Sequence, residues 1–163
     1  MGHTGTGKTT FCNQLLSEKI DKIYSTFGKR IYNYILDRNG VERRIIFHDH
    51  GGQAAVLDTF IPFITDSDMI LVFHKKTDKS TFKISMEILK EIREKVSPVI
   101  PVYFIQTFID HEVDDIPLGV MESLAEKGKI VDFVKMSPKD AIGFDEFESS
   151  IIERINWNQS RTM

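Results

Sequence analysis

The chain has 163 residues, of which 41% are hydrophobic and 28% charged, and this argues for one domain with a sizeable core. The formal net charge is −3 and no long run of Lys or Arg occurs, so nothing indicates a nucleic-acid or anionic-membrane surface. The single cysteine, Cys12, excludes an intrachain disulfide framework and a cysteine-rich metal cluster, and favours a reducing, intracellular compartment.

The first half of the chain predicts one helix and a β-hairpin. Residues 9–20 place apolar side chains near helical spacing and predict a helix. Residues 29–37 and 41–49 are β-rich, and the Asn39-Gly40 pair between them is a strong hairpin signal. We therefore expect these two strands to be antiparallel.

The second half alternates strands and helices. Buried strands are predicted at 69–73, 99–106 and 129–136, and helices at 79–96, 116–128 and 143–157. Such alternation predicts an α/β fold with a mostly parallel sheet and helices on both faces. Lys75 and Lys76, which follow the first of these strands, are interpreted as part of a solvated loop.

A phosphate-binding loop, "GHTGTGKT", occupies residues 2–9 and fits G-x-x-x-x-G-K-[ST] at every fixed position. Its glycines let backbone N–H groups curl around phosphate oxygens, and the following helix points its positive end at the same anion. Lys8 supplies a charge for the outer phosphates, and the Thr9 hydroxyl suits Mg²⁺. The alternative is a glycine-rich turn before a helix.

A second motif, "DHGGQ" at 49–53, ends an apolar strand as a metal-facing aspartate should. Asp49 can serve the Mg²⁺ shell, and the Gly51-Gly52 pair lets the backbone approach a γ-phosphate. Gln53 is placed to orient an attacking water. By itself "DHGG" reads as a turn, but its distance after the loop favours the functional interpretation.

With these motifs the chain resembles the Ras-like small GTPases over its whole length. "DHGGQ" stands where that family has Asp-Thr-Ala-Gly-Gln, and "YSTFG" at 24–28 resembles the first switch. "TFID" at 107–110 and "SPK" at 137–139 stand at the two guanine motifs, and residues 60–82 look most like the Rab branch. The resemblance implies a P-loop NTPase fold (Ras-like G domain) over 1–157, followed by a short tail at 158–163.

The resemblance also implies roles for particular residues. It assigns the catalytic roles to Gln53 and Lys8, and the Mg²⁺ site to Thr9 and Thr26 as ligands with Asp49 in the outer shell of the ion. The implied contacts to GTP or GDP are Gly2, Thr4, Gly5, Thr6, Gly7, Lys8, Thr9, Thr10, Thr26, Asp49, Gly52, Thr107, Asp110, Ser137 and Lys139.

The guanine motifs depart from the family pattern at three positions. Thr107 stands for an Asn, Phe108 for the Lys that packs along the nucleotide, and Pro138 for an Ala whose backbone N–H reads guanine O6. Because proline has no N–H, that hydrogen bond is lost, at a cost of ~1–3 kcal/mol. We therefore expect weaker guanine binding, with phosphate and Mg²⁺ binding less affected.

The resemblance further implies an apolar strand before the phosphate loop, between the third and fourth strands of the sheet, for which the chain has no residues. This predicts an N-terminally truncated gene model or a fragment. No apolar run approaches membrane-spanning length, and the C-terminal residues lack the cysteine that prenylation requires.

The resulting expectation is a monomeric, cytoplasmic switch protein that hydrolyses GTP slowly with Mg²⁺, in vesicle traffic or signalling. Its expected partners are an exchange factor, a GAP and effectors that contact residues 22–30 and 51–66, and partners would recruit it to membranes. A pseudo-GTPase interaction module with weakened guanine binding is the main alternative. A P-loop kinase is a third, which Gln53 disfavours.

Overall fold

Two three-stranded β-sheets form the framework of the chain, which the computed structural model describes over residues 1–16, 21–26, 29–51, 61, 64–117 and 119–154. For residues 21–26, 29 and 38 this description covers the backbone. The antiparallel sheet has the order β1-β2-β3, with β1 at Asp21–Thr26, β2 at Lys29–Arg38 and β3 at Val41–His50. The parallel sheet has the order β4-β5-β6, with β4 at Ile70–Lys75, β5 at Val102–Thr107 and β6 at Asp132–Lys135.

The β2–β3 hairpin confirms the prediction from the Asn-Gly pair. Its register runs from Arg38 opposite Val41 to Lys29 opposite His50. Strand β1 was not predicted, because its residues were assigned to the switch motif at 24–28. It pairs antiparallel with β2, so that Thr26 lies opposite Lys29. The β-branched and aromatic content of "DKIYST" fits this pairing.

The helices lie close to their predicted positions. They are α1 (Lys8–Leu16), α2 (Lys79–Glu91), α3 (Val120–Glu126) and α4 (Phe144–Arg154). The Asp78 side chain caps α2 by accepting from the Ser80 N–H at 3.0 Å, and a π-helical turn over Ile92–Val96 completes the predicted 79–96 segment. Helix α3 begins later than the predicted residue 116, because Gly119 adopts the left-handed region and interrupts the helical path. No helix of the described segments is long and apolar enough to cross a membrane.

The core has two parts, one on each face of the parallel sheet. On one face Phe11 of α1 makes edge contacts with Phe73 of β4 and Phe147 of α4, at ring distances of 5.4 and 5.0 Å. This part also takes in Tyr32, Tyr34 and Leu36 of β2, so it joins the hairpin to the parallel sheet. On the other face Val72 and Phe104 pack with Leu89 and Ile92. Helices therefore cover both faces of the parallel sheet, as predicted.

Met1 and Gly2 lie alongside β4. The Phe73 N–H donates to the Met1 carbonyl at 2.8 Å, and Gly2 forms an isolated parallel bridge with Phe73. In the part of the chain that the structure describes, no strand joins β3 to β4, so the predicted central sheet is present as two sheets. The truncated gene model stays a prediction.

Candidate nucleotide-binding site

The glycine-rich loop closes directly against β4. A Cβ atom built on Gly2 would lie 2.4 Å from the Phe73 carbonyl oxygen, and the Gly2 φ of 132° is one that side-chain-bearing residues rarely adopt. No other residue fits here without moving the strand. The loop then turns into α1, whose early hydrogen bond runs from the Phe11 N–H to the Gly7 carbonyl at 2.8 Å. The positive end of α1 therefore faces the loop.

Lys8 is buried inside this loop. Its Nζ donates to the carbonyl oxygens of Gly2 and His3, at 2.9 and 2.8 Å, and the residue is 8% exposed. Burial lowers the pKa of Lys8, while the nearby Asp49 carboxylate opposes that shift. Backbone oxygens thus hold the ammonium group at the centre of the loop. Phosphate oxygens of a bound nucleotide can replace them as hydrogen-bond acceptors.

Thr9 and Asp49 bring two hard oxygen ligands together across 40 residues of sequence. The Thr9 Oγ1 donates to Asp49 Oδ2 at 2.7 Å, from the first turn of α1 to the end of β3. In the described segments no group of three or more His, Cys, Asp or Glu could hold a metal ion. An oxygen pair beside a phosphate loop fits Mg²⁺, which takes few protein ligands and completes its shell with phosphates and water.

Thr107 and Pro138 connect the phosphate loop to the two guanine motifs. The buried Thr107 Oγ1 lies 3.0 Å from the Thr6 carbonyl oxygen and 3.1 Å from that of His74. A Cβ built on Gly7 would lie 3.5 Å from Thr107 Cγ2 and 3.8 Å from Pro138 Cγ. The sequence-distant motifs therefore meet the loop at one edge of the parallel sheet.

Asp110, Ser137 and Lys139 lie together beyond that edge. A hydrogen bond from its own backbone N–H lowers the pKa of Asp110, with the Ser137 hydroxyl and the charges of His111 and Lys139 acting in the same direction. The Ser137 hydroxyl has one proton to donate, and it donates it to Asp140 Oδ2 at the short distance of 2.6 Å. These neighbours favour the ionised form of the Asp110 carboxylate, whose Oδ2 also lies 3.6 Å from His111 Nε2.

Several predicted site residues are less closely engaged or lie elsewhere. Thr4 and Thr10 are exposed around the loop. The Thr26 backbone ends β1 opposite Lys29, with β2 between it and β3. Gly52 and Gln53 lie outside the described residues, so their roles and that of Thr26 stay predictions.

One residue interpreted as solvated loop stands at the site instead. Lys75 is the last residue of β4, half-buried, and pairs in register with Thr107 of β5. The sequence offered only a general signal, its place two residues after the predicted strand 69–73, because side chains at the carboxyl ends of parallel strands meet at a ligand-binding edge. The register with β5 is what places Lys75 beside Thr107.

Together, the glycine loop closed against a parallel strand, its buried lysine and the Thr–Asp oxygen pair define a P-loop nucleotide-binding domain. The sequence model of the Ras family matches residues 1–157. The chain therefore belongs to the Ras family of small GTP-binding switch proteins, whose members generally bind GTP or GDP with Mg²⁺ and hydrolyse GTP. Among curated protein sequences, none matches the chain.

Proposed function

We propose that this chain cycles between GTP and GDP forms and hydrolyses GTP slowly. The observation that carries the proposal is the 2.7 Å hydrogen bond between Thr9 and Asp49, formed beside the buried Lys8 ammonium. A positive charge for phosphates, two oxygens for a metal ion and a helix N-terminus are thereby assembled at one point, which a glycine-rich turn without a ligand would not require.

The residues divide the work as follows. The loop amides and Lys8 hold the phosphates, while Thr9 and Asp49, with Thr26, hold Mg²⁺. The ion, when bound, would neutralise charge that develops on the phosphates. Gln53 orients the attacking water, and Asp110 accepts hydrogen bonds from the guanine ring. Hydrolysis is slow because the sequence identifies no arginine finger within the chain, and a GAP would supply one.

The finer biological role is part of the same proposal. The resemblance of residues 60–82 to the Rab branch supports a Rab-like switch in vesicle traffic or signalling. An exchange factor, a GAP and effectors would contact residues 22–30 and 51–66. We propose a cytoplasmic monomer that these partners recruit to membranes.

A titration with fluorescent GDP in Mg²⁺ tests the proposal, with unlabelled GTP and ATP as competitors. We expect displacement by GTP but not by ATP, because Asp110 can pair with guanine and not with adenine. Lys8→Ala should lower GDP affinity by roughly 100-fold or more, since it removes a charge-assisted contact at the loop. Lys83→Ala, on the exposed face of α2, is the matched control and should bind like wild type. A folded chain that binds neither nucleotide contradicts the proposal.

A pseudo-GTPase is a second candidate because both guanine motifs are altered. Phe108 takes the place of the motif lysine with a φ of 62°, and the buried Pro138 offers no N–H to guanine O6. Such a protein would present the hairpin and switch segments to partners without turnover. Single-turnover GTP hydrolysis separates the two candidates, because the switch releases phosphate and Gln53→Leu should abolish that release.

A further inference from the structure

Lys75 is fixed at the carboxyl end of β4, between the two parts of the candidate site. Its backbone N–H donates to Thr81 Oγ1 at 2.9 Å, and that hydroxyl in turn donates to the Asp78 carbonyl at 2.8 Å. The strand end is therefore tied to the first turn of α2. In the parallel sheet Lys75 is the register partner of Thr107, which directly precedes Phe108.

The Lys75 ammonium lies between the phosphate loop and the guanine motif. Its Nζ is 3.6 Å from the position of a Cβ built on Gly5, and 5.2 Å from the centroid of the Phe108 ring. The aromatic ring holds the cation by a cation–π interaction, which fixes a side chain that would otherwise move freely. Among the described residues no carboxylate lies within ion-pair distance of this Nζ, and a more distant charge partner is Asp78, whose pKa is lowered first by the Ser80 hydroxyl and also by the Lys75 charge. The ammonium group can therefore still pair with an anion.

We propose that Lys75 is a nucleotide-binding residue, and that with Phe108 it forms the wall of the site between phosphates and base. This rests on the proposed guanine nucleotide binding. A nucleotide that binds with its phosphates on loop 2–9 and its base at 107–110 must have its sugar and inner phosphate beside this wall. A cation already ordered there loses little entropy when it meets that anionic segment.

The position of the pair also explains how the site tolerates Phe108. The positive charge at this point comes from β4, the neighbouring strand, while the aromatic ring at 108 orders it. Phe108 has a left-handed backbone, and its ring centroid lies 5.2 Å from the Lys75 Nζ and 5.6 Å from the His111 ring centroid. The charge and the ring therefore act as one unit, and their contributions to affinity should not be additive.

The test measures fluorescent GDP affinity of the full chain in Mg²⁺ for Lys75→Met, which keeps the stem and removes the charge. We expect roughly 10-fold weaker binding, the loss of one charge-assisted contact. Lys75→Arg should stay within about threefold of wild type, because the guanidinium also sits on aromatic rings. Lys83→Met, an exposed lysine of α2, is the control for net charge and should not change affinity.

Two further measurements test whether Lys75 acts through its charge and together with Phe108. Lys75→Met should show a shallower dependence of GDP affinity on salt concentration than wild type, since one screened charge contact is gone. Phe108→Leu should weaken GDP binding, and the double variant should lose less than the sum of the two single losses. Circular dichroism checks folding, and Lys75→Gln replaces Lys75→Met if the latter does not fold.

The outcomes separate this inference from the proposed function. A wild-type chain that binds no GDP overturns both. Wild-type binding with unchanged affinity in Lys75→Met, or an equal loss in Lys83→Met, overturns the role of Lys75 and leaves GTP binding standing. Lower thermal stability without a change in affinity would show that the Lys75–Phe108 contact serves the fold alone, and would also overturn it.

Discussion

Pro138 is the residue that most limits guanine recognition in the proposed site. It is buried against the phosphate loop and lacks the N–H that would donate to guanine O6. Pro138→Ala restores that donor, so GDP affinity should rise by roughly 10-fold, within the ~1–3 kcal/mol of such a hydrogen bond. Affinity for ATP should not rise. Competition titration measures both.

Pro98→Ala provides the control for this change, because Pro98 lies in the turn before β5, at the opposite end of that strand from Thr107. It should leave both affinities unchanged. If Pro138→Ala raises ATP and GDP affinity equally, the proline limits the site through its shape, and the missing donor is not the cause.

His74 should make the stability of the fold depend on pH. Its imidazole on β4 is fully buried between Phe82 and Phe104, and neither ring nitrogen has a partner in the described structure. Burial lowers the pKa of His74 from 6.5 to about 4, against a smaller opposing effect of Asp114. Between these values the unfolded chain binds a proton that the folded chain does not. Stability is therefore fully present above 6.5 and declines as pH falls towards 4.

Urea unfolding of wild type and His74→Phe measures this effect. Between about pH 7.5 and about pH 5, wild type should lose about 2 kcal/mol more of its free energy of unfolding than the variant. His3→Phe, at an exposed histidine, should keep the wild-type pH profile. Parallel profiles for wild type and His74→Phe would show that His74 is not the responsible group.

At the scale of elements, the sequence predicted those helices, strands and turns that local residue patterns determine. The Asn-Gly turn located the hairpin, and the apolar runs located β4 and β5, because burial on both faces leaves a continuous apolar signal. Strand β1 was missed because its last residues, 24–26, were assigned to the first switch motif. The candidate site was also predicted only in part. The loop motif identified Lys8 and Thr9, whereas the place of Lys75 beside Thr107 follows only from the register between β4 and β5.

Gly143, at the start of α4, packs against the residues that directly precede the second guanine motif. It immediately precedes α4 with a φ of 86°, and a Cβ there would lie 2.5 Å from the Lys135 carbonyl oxygen and 2.9 Å from Met136 Cβ. Gly143→Ala should destabilise the chain by roughly 2–4 kcal/mol, since strain and a steric clash add. Gly128→Ala, with a φ of 65° and no atom within 4 Å of the added Cβ, should cost only ~1 kcal/mol. Equal losses of the free energy of unfolding would contradict the clash.

At the scale of the whole molecule, three contacts among the described residues join the two sheets. The shared core around Phe11 is one, and a hydrogen bond from the Tyr34 hydroxyl to Glu148 links β2 to α4. The third is the Thr9–Asp49 hydrogen bond, which joins α1 to the end of β3. A bound Mg²⁺ nucleotide would act on this third contact, because both of its residues belong to the proposed Mg²⁺ site. Binding at the phosphate loop should therefore stabilise the antiparallel sheet as well.

Hydrogen exchange measures that coupling directly. Mg²⁺ and GDP at about 100 times the dissociation constant add roughly 2.7 kcal/mol to global stability, so exchange by global unfolding slows everywhere. Beyond this, amides of β3 near Asp49 should gain protection in wild type, because the nucleotide holds the strand end through the metal. In Asp49→Asn the carboxylate is lost, so the β3 gain should disappear while protection in α1 remains. The β3 gain should also vanish in wild type when EDTA removes the metal. A β3 gain that survives both changes would mean that the core around Phe11 couples the sheets, with no part played by the metal ligands.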